Sequence, residues 1–252
     1  MTRETHLEHA ASFVREGLEN AHGDERNRIL KALPIAEYDR LLAELRPVRL
    51  PLKDVLIEPN TEIGHVWFIR EGVASMLAEE QDGSSIEVGT IGREGFVGLP
   101  LLNGVDRMPY RVLIQIEGDA WRMRADVFRR VVDERPQIRH RCLRFAQYFS
   151  DQMAQSVACN RLHTVEERCA RWVLMTHDRV DGDHFELTQE FLAMMLGVRR
   201  AGVSVAMGVF QRANIVTYVR GRVTVLDREA LERGACDCYR ITRAAQARLL
   251  GE

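Results

Sequence analysis

The sequence predicts an α+β chain, with a β-rich N-terminal half, one long helix and a C-terminal unit of helices closed by a hairpin. Three observations carry this reading. Between Pro47 and Arg124, apolar residues fall into short runs separated by turn signals, the pattern of a β-sandwich or barrel. From Ile138 the period changes, and Ile138, Cys142, Phe145 and Phe149 recur at four-and-three spacing, a heptad-like seam on a helix. Finally, Leu187 to Leu226 reads as helix, glycine turn, helix and hairpin.

The chain has 252 residues, 46% of them hydrophobic, enough for one large or two modest cores. No apolar run approaches the ~20 residues that span a bilayer. The polar, charged N-terminus has no signal-peptide core, so a soluble cytoplasmic protein without membrane contact is expected. Residues 1–26 are read as an extension, with a weakly amphipathic stretch around Phe13, Val14 and Leu18. Leu30, Leu33, Tyr38, Leu41, Leu42 and Leu45 predict two short helices interrupted at Pro34.

The strand candidates are Val48–Leu50, Val55–Ile57, Val66–Ile69, Val73–Leu77, Ile86–Val88, Arg111–Ile116 and Ala120–Met123, with Asp82-Gly83 the clearest hairpin turn. A short helix, Asp126–Val132, and a break at Pro136 precede the long helix, whose seam continues through Gln152, Ser156 and Cys159. Packing on its own β domain explains one stripe. A second apolar face (Leu143, Ala146, Met153, Val157) and the helix length point to a dimer partner. Thr164-Val165-Glu166-Glu167 fits a capping box that starts a helix from Val165 to about Arg179, making Asn160–His163 the expected hinge. Asp181–His184 reads as a polar loop, and Arg240–Leu250 as a further helix without an assigned role.

In the C-terminal unit, Thr188 is placed to cap a helix whose buried face holds Phe191, Leu192, Met195 and Leu196. Gly197 supplies the turn. A second helix, from about Arg199 to Ala213, turns Val203, Met207 and Phe210 inward and Arg199, Arg200, Ser204, Gln211 and Arg212 outward. Two short strands flank Arg220-Gly221-Arg222. Residues 187–226 hold five arginines against one acid. That is +4 in a chain of net −2, which leaves −6 on the remainder. A helical pair on a hairpin with merely solvating arginines is the bland reading. The motif together with its local charge favours contact with nucleic-acid phosphates.

This segment resembles the DNA-binding domain of the Crp/Fnr family of bacterial transcription regulators, and the chain from about Arg28 onward is similar to the same family. The resemblance implies a division into an extension (1–26), a cyclic-nucleotide-binding-like β-roll of cupin-like double-stranded β-helix type (27–132), a dimerisation helix with hinge (133–161) and a winged helix-turn-helix domain (162–252). It also implies a homodimer on double-stranded DNA, with two recognition helices ~34 Å apart on an inverted repeat, and RNA polymerase as a partner. Ile138, Cys142, Phe145 and Phe149 are then the expected dimer seam. Arg199, Arg200 and Ser204 are expected to reach base edges, and Thr188, Gln189, Arg212, Arg220 and Arg222 to contact phosphates.

Departures from the family pattern qualify these expectations. In nucleotide-responsive members a Gly-Glu pair and a later Arg-Ser or Arg-Thr hold the ligand. The matching loop here runs from Gly95 to Leu101 and has Leu99 at the carboxylate position. Arg107 is followed by Met108-Pro109, and Pro109 lacks a donor N–H. Each missing partner costs a buried polar ligand on the order of 1–3 kcal/mol, which argues against cyclic AMP. The pocket candidates Phe96, Val97, Gly98, Leu99 and Arg107 leave two options, an apolar effector or a pocket filled by its own side chains. In the recognition helix Arg200 matches the family's first Arg, but Ala201 replaces its Glu and Val205 its later Arg, so a different half-site is expected.

No cofactor or metal is expected. The first of the five cysteines is Cys142, too late for the family's N-terminal iron–sulfur ligands. Cys236 and Cys238 form the one close pair. With no second pair or histidine beside them they read as free thiols. His65 reads as an ordinary histidine. No Ser/His/Asp order, P-loop or Gly-rich dinucleotide turn points to an enzyme. The sequence therefore supports a Crp/Fnr-type regulator. The alternatives are a nucleotide-binding module acting on a partner protein and a constitutive DNA binder with a self-filled pocket.

Overall fold

The computed structural model describes residues 22–80 and 84–251. Most of the expected N-terminal extension, its amphipathic stretch included, and the Asp82-Gly83 turn lie outside the described residues. Two short helices open the fold, α1 (Arg28–Lys31) and α2 (Ile35–Leu42), on either side of Pro34 as expected. The boundary at residue 26 cuts through an anchor. Glu25 is buried and accepts hydrogen bonds from Tyr38 Oη at 2.8 Å and Trp121 Nε1 at 2.7 Å, so it belongs to the β domain.

The β domain is one six-stranded antiparallel sheet: β1 (Arg46–Leu50), β2 (Val55–Ile57), β3 (His65–Glu79), β4 (Ser85–Ile91), β5 (Phe96–Val97) and β6 (Arg111–Arg124). Strand order is β1-β6-β3-β4, with β2 on β6 and β5 on β3. Two pairs of predicted strands are each one long strand. Val66–Ile69 and Val73–Leu77 join as β3, and Arg111–Ile116 and Ala120–Met123 join as β6. Their mutual register shifts repeatedly between Ile69 and Ala74, where Gly72 has φ +86°. Such bulges bend a strand without ending it, and in sequence they look like turns.

Helix α3 (Ala125–Glu134) follows. Pro136 then begins α4 (Pro136–Leu162) at its first turn, where a missing N–H costs nothing, so it starts this helix rather than breaking a longer one. The structure corrects the dimer seam. Ile138, Cys142, Phe145 and Phe149 are all buried within the chain's own first core. Phe145 packs against Phe96 at a centroid distance of 5.6 Å, and a Cβ on Gly95 would fall inside the Phe145 ring. Leu143 and Val157 remain on the outward face, 45% and 72% exposed.

Helix α4 ends at Leu162. His163 is extended, and Thr164 caps α5 (Val165–His177) with both reciprocal bonds of a capping box. A second core gathers α5, β7 (His184–Glu186), α6 (Gln189–Leu196), α7 (Arg200–Arg212), β8 (Val216–Val219) and β9 (Arg222–Val225). Part of the expected polar loop is strand β7, which pairs with β9 and makes a three-stranded sheet, β7-β9-β8. Two further helices, α8 (Arg228–Gly234) and α9 (Cys238–Gln246), lead into a final turn, Ala247–Gly251. The predicted helix Arg240–Leu250 is split between α9 and the final turn, and both pack back on α4, where Arg144 donates to the carbonyl of Arg248 in the turn at 2.8 Å.

Candidate nucleic-acid interface

Thr188 Oγ1 accepts from the Phe191 N–H at 3.1 Å and starts α6. Gly197, at φ +61°, ends it in the left-handed conformation that frees the chain to turn. The path bends by 108° between α6 and α7, within the range of DNA-binding helix pairs. Val203, Met207 and Phe210 bury one face of α7. Arg199, Arg200, Ala201, Ser204 and Val205 are exposed on the other, at its N-terminal end. No side chain caps α7, and in its first turn the Gly202 N–H donates to the Arg199 carbonyl at 2.9 Å.

Within this surface the candidate residues divide. Ser204 Oγ donates to Gln189 Oε1 at 2.7 Å, which locks the two helices in register. The Gln189 N–H donates to Tyr218 Oη at 3.1 Å, and the Tyr218 N–H donates to Gln211 Oε1 at 3.1 Å. Tyr218 thus staples the hairpin to both helices. The sequence reading missed this role because Tyr218 looked like one alternating strand residue. Arg220 and Gly221 both have positive φ, +52° and +82°, as a tight two-residue hairpin turn requires, so the turn presents Arg220 outward. Arg222 pairs with Glu186 at 2.8 Å, both more than half exposed, an ion pair that exposed phosphate can displace at little cost. Arg212 lies twelve residues from Arg200, about 18 Å along the helix, so it is remote from the exposed arginines at the N-terminal end.

The β-domain candidates take a different form. Phe96 and Val97 are fully buried. The Phe96 ring lies 5.5 Å from Phe68, 5.4 Å from Phe128 and 5.6 Å from Phe145, so side chains occupy the space behind the loop. Gly98, at φ +107°, has no room for a Cβ beside Val66, and Leu99 is half-buried. Arg107 is exposed and donates to the Asn60 carbonyl at 3.2 Å. The five therefore do not converge on one ligand position.

Direct contacts join the two halves. Arg179, after α5, places Nε and Nη2 2.9 and 2.7 Å from Glu94 Oε1, with both side chains buried. Trp172 Nε1 donates to Glu87 Oε1 on β4 at 3.0 Å. Burial holds the Glu87 carboxyl up at about 7, although hydrogen bonds from Ser75 and Trp172 oppose this. A Cβ on Gly197 would meet Ile86 at 2.8 Å, so the turn of the helix pair rests on β4. Beside it, a cleft of about 910 Å³ opens between the sheet and α6, bordered by Lys53, Arg111, Thr188, Phe191 and Arg199.

This order of parts agrees with the comparisons. The family profile of the cyclic nucleotide-binding domain matches residues 47–135, and that of the Crp-like helix-turn-helix domain matches 167–234. The chain belongs to the Crp/Fnr family of transcription regulators. Solved structures share this Crp/Fnr fold at low identity. The c-di-GMP-responsive global regulator CLP of Xanthomonas campestris is 16% identical, covering 76% of this chain and 99% of its own, with a TM-score of 0.62. FixK2 from Bradyrhizobium japonicum is 12% identical over 76% and 98%, TM-score 0.66. A transcriptional regulator of the Crp family from Thermus thermophilus, TTHB099, is 19% identical over 75% and 96%, TM-score 0.63. No curated protein matches this Crp/Fnr chain. Among the described residues no single helix is long and apolar enough to cross a membrane.

Elsewhere the fold overturns one sequence argument. Cys236 and Cys238 have no cysteine or histidine beside them in sequence, but the end of α4 brings Cys159 and His163 against them.

Proposed function

We propose that this Crp/Fnr-type regulator is a homodimer that binds an inverted-repeat operator through the N-terminal end of α7. The observation that carries the reading is the joint exposure of Arg199, Arg200 and Ser204 on a helix held by Gln189 and Tyr218. Arg200 is the base reader, as a bidentate partner for guanine. Ala201 presents a methyl that fits a thymine better than a cytosine amine. Thr188, Gln189 and Arg220 position the protein on phosphates. The outward stripe of α4, with Leu143 and Val157, is the surface for the second copy. RNA polymerase is the partner through which such a dimer acts on transcription, and no catalytic step is assigned.

The packing around Phe96 favours the reading in which the family's nucleotide pocket is filled by the chain itself. Control of DNA binding then runs through the contacts between β4 and the helix pair rather than through cyclic AMP. The test is selection of a random duplex library on the purified protein at near-physiological salt. An enriched inverted repeat with half-sites one helical turn apart supports the proposal. Saturable calorimetric binding of a cyclic nucleotide, without salt-steep DNA affinity, would replace it with a nucleotide-binding module acting on a partner protein.

A further inference from the structure

The hinge between the long helix and the DNA-binding domain carries a second cluster of chemically able side chains. Cys159 lies in the last turn of α4 and His163 is the extended residue that ends it, and their ligand atoms come within 4.8 Å of each other. The His163 N–H still bonds to the Cys159 carbonyl, at 3.2 Å. Cys236 and Cys238 come from the segment after the hairpin, where α8 gives way to α9. Cys159 Sγ lies 3.5 Å from Cys236 Sγ, and Cys238 Sγ lies 3.5 Å from His163 Nδ1. One ligand atom from each of the four falls within 4.8 Å of all the others. The three cysteines are at most 5% exposed, and His163 is half-buried.

Three sulfurs and one imidazole nitrogen at this separation outline a tetrahedron around one ion. Metal–sulfur bonds of about 2.3 Å and metal–nitrogen bonds of about 2.0–2.1 Å place tetrahedral donors on the order of 3.5–4 Å apart. The two 3.5 Å contacts already match such edges. A multi-iron cluster spreads its thiolates over separate metal atoms and needs them further apart. Three cysteines and one histidine are a common closed set for zinc.

The surroundings suit the charge of that set. Three thiolates around a dication leave one negative charge. Arg168 and Arg171, both buried, line a small cavity with Cys159, and the Nε atom of each is buried without a hydrogen-bond partner. Gln155 Nε2 lies 3.0 Å from Cys238 Sγ, a donor to the ligand sulfur of the kind that orients metal sites.

We propose that Cys159, His163, Cys236 and Cys238 form a closed tetrahedral site for a single zinc-type dication, which fastens the end of the long helix to the segment following the hairpin. Metal occupancy then sets how firmly the DNA-binding domain is held at the hinge. This regulatory consequence rests on the DNA-binding reading above, whereas metal uptake itself does not.

The test uses full-length protein purified under reducing conditions. Elemental analysis of the zinc-loaded protein is expected to give one ion per chain. Cobalt(II) titration is expected to give the strong visible bands of tetrahedral thiolate ligation at one equivalent. Cys238→Ser and His163→Gln should each weaken cobalt binding by more than about 100-fold, beyond the 10–100-fold effect of losing an outer-shell partner. Cys142→Ser, at a buried cysteine elsewhere on α4, should leave both readouts unchanged. A chelator should lower the Tm of the wild type and not that of Cys238→Ser.

The proposal fails if the reduced wild type takes up no ion, or if octahedral cobalt spectra appear. It also fails if Cys238→Ser, folded by circular dichroism, retains wild-type affinity. Isolation of a Cys159–Cys236 disulfide that forms in preference to metal uptake would overturn it in favour of a thiol pair. Uptake at one equivalent with unchanged operator affinity would keep the site and remove only its regulatory consequence.

Discussion

Glu94 and Arg179 form a buried ion pair across the two halves of the chain, one carboxylate oxygen taking both Nε and Nη2 at 2.9 and 2.7 Å. Burial alone lowers an arginine pKa, but Glu94 overrides it and holds Arg179 above its ordinary value. The pair fixes the end of α5 on the Gly92–Gly95 turn, and the Gly92 N–H donates to the same carboxylate at 3.0 Å.

Removing one partner leaves a buried charge uncompensated. Glu94→Gln should therefore cost about 3–5 kcal/mol, read as a lowered urea midpoint. A loss below about 1 kcal/mol would mean that water reaches Arg179, as at exposed pairs.

Glu87 makes the contact with Trp172 pH-dependent. Its folded-state value, about 7, lies above the ordinary 4.5, so the folded chain keeps a proton that the unfolded chain releases. The stability from this group is complete below about 4.5 and is lost as pH rises to about 7, on the order of 3 kcal/mol. Glu87→Gln keeps an acceptor for Trp172 without the titration. Its unfolding free energy should change less between about pH 5 and about pH 7.5 than that of the wild type. Equal slopes in the two proteins would contradict the assignment.

In the DNA reader, Arg200→Ala should relax preference at one symmetric base pair, costing about 1–3 kcal/mol there. Arg220→Ala should instead weaken all sequences alike and reduce the salt slope by about 1 per subunit. Library selection and salt titration of both variants separate the two roles. Interchanged results would move base reading to the hairpin.

The two faces of α4 should behave differently. Val157→Glu, on the exposed face, should shift sedimentation toward monomer with little change in protomer stability. Phe145→Ala, in the core, should cost about 3–5 kcal/mol before it changes oligomeric state. A monomer from Phe145→Ala alone, at full stability, would restore the inner seam as the dimer surface.

The sequence by itself determined the local elements. The Thr188 cap, the Gly197 turn, the capping box at Thr164 and the Arg220-Gly221 hairpin each depend on residues within a few positions, so their chemistry is legible in order. The exposure of Arg199, Arg200 and Ser204 followed from one helical period. Only the tertiary structure decided which face meets which partner. A stripe such as Ile138, Cys142, Phe145 and Phe149 records that something apolar covers it, and the fold makes that cover the chain's own β domain, with Phe145 against Gly95 and Phe96 and Phe149 against Gly89. Bulges at Gly72 hid the length of those strands for a similar reason, since a bend and an end share the same residues. Long-range contacts such as Glu94 with Arg179 and Cys159 with Cys236 leave no periodic trace. The second arises when the segment after the hairpin folds back on the hinge, and side chains 77 positions apart become neighbours.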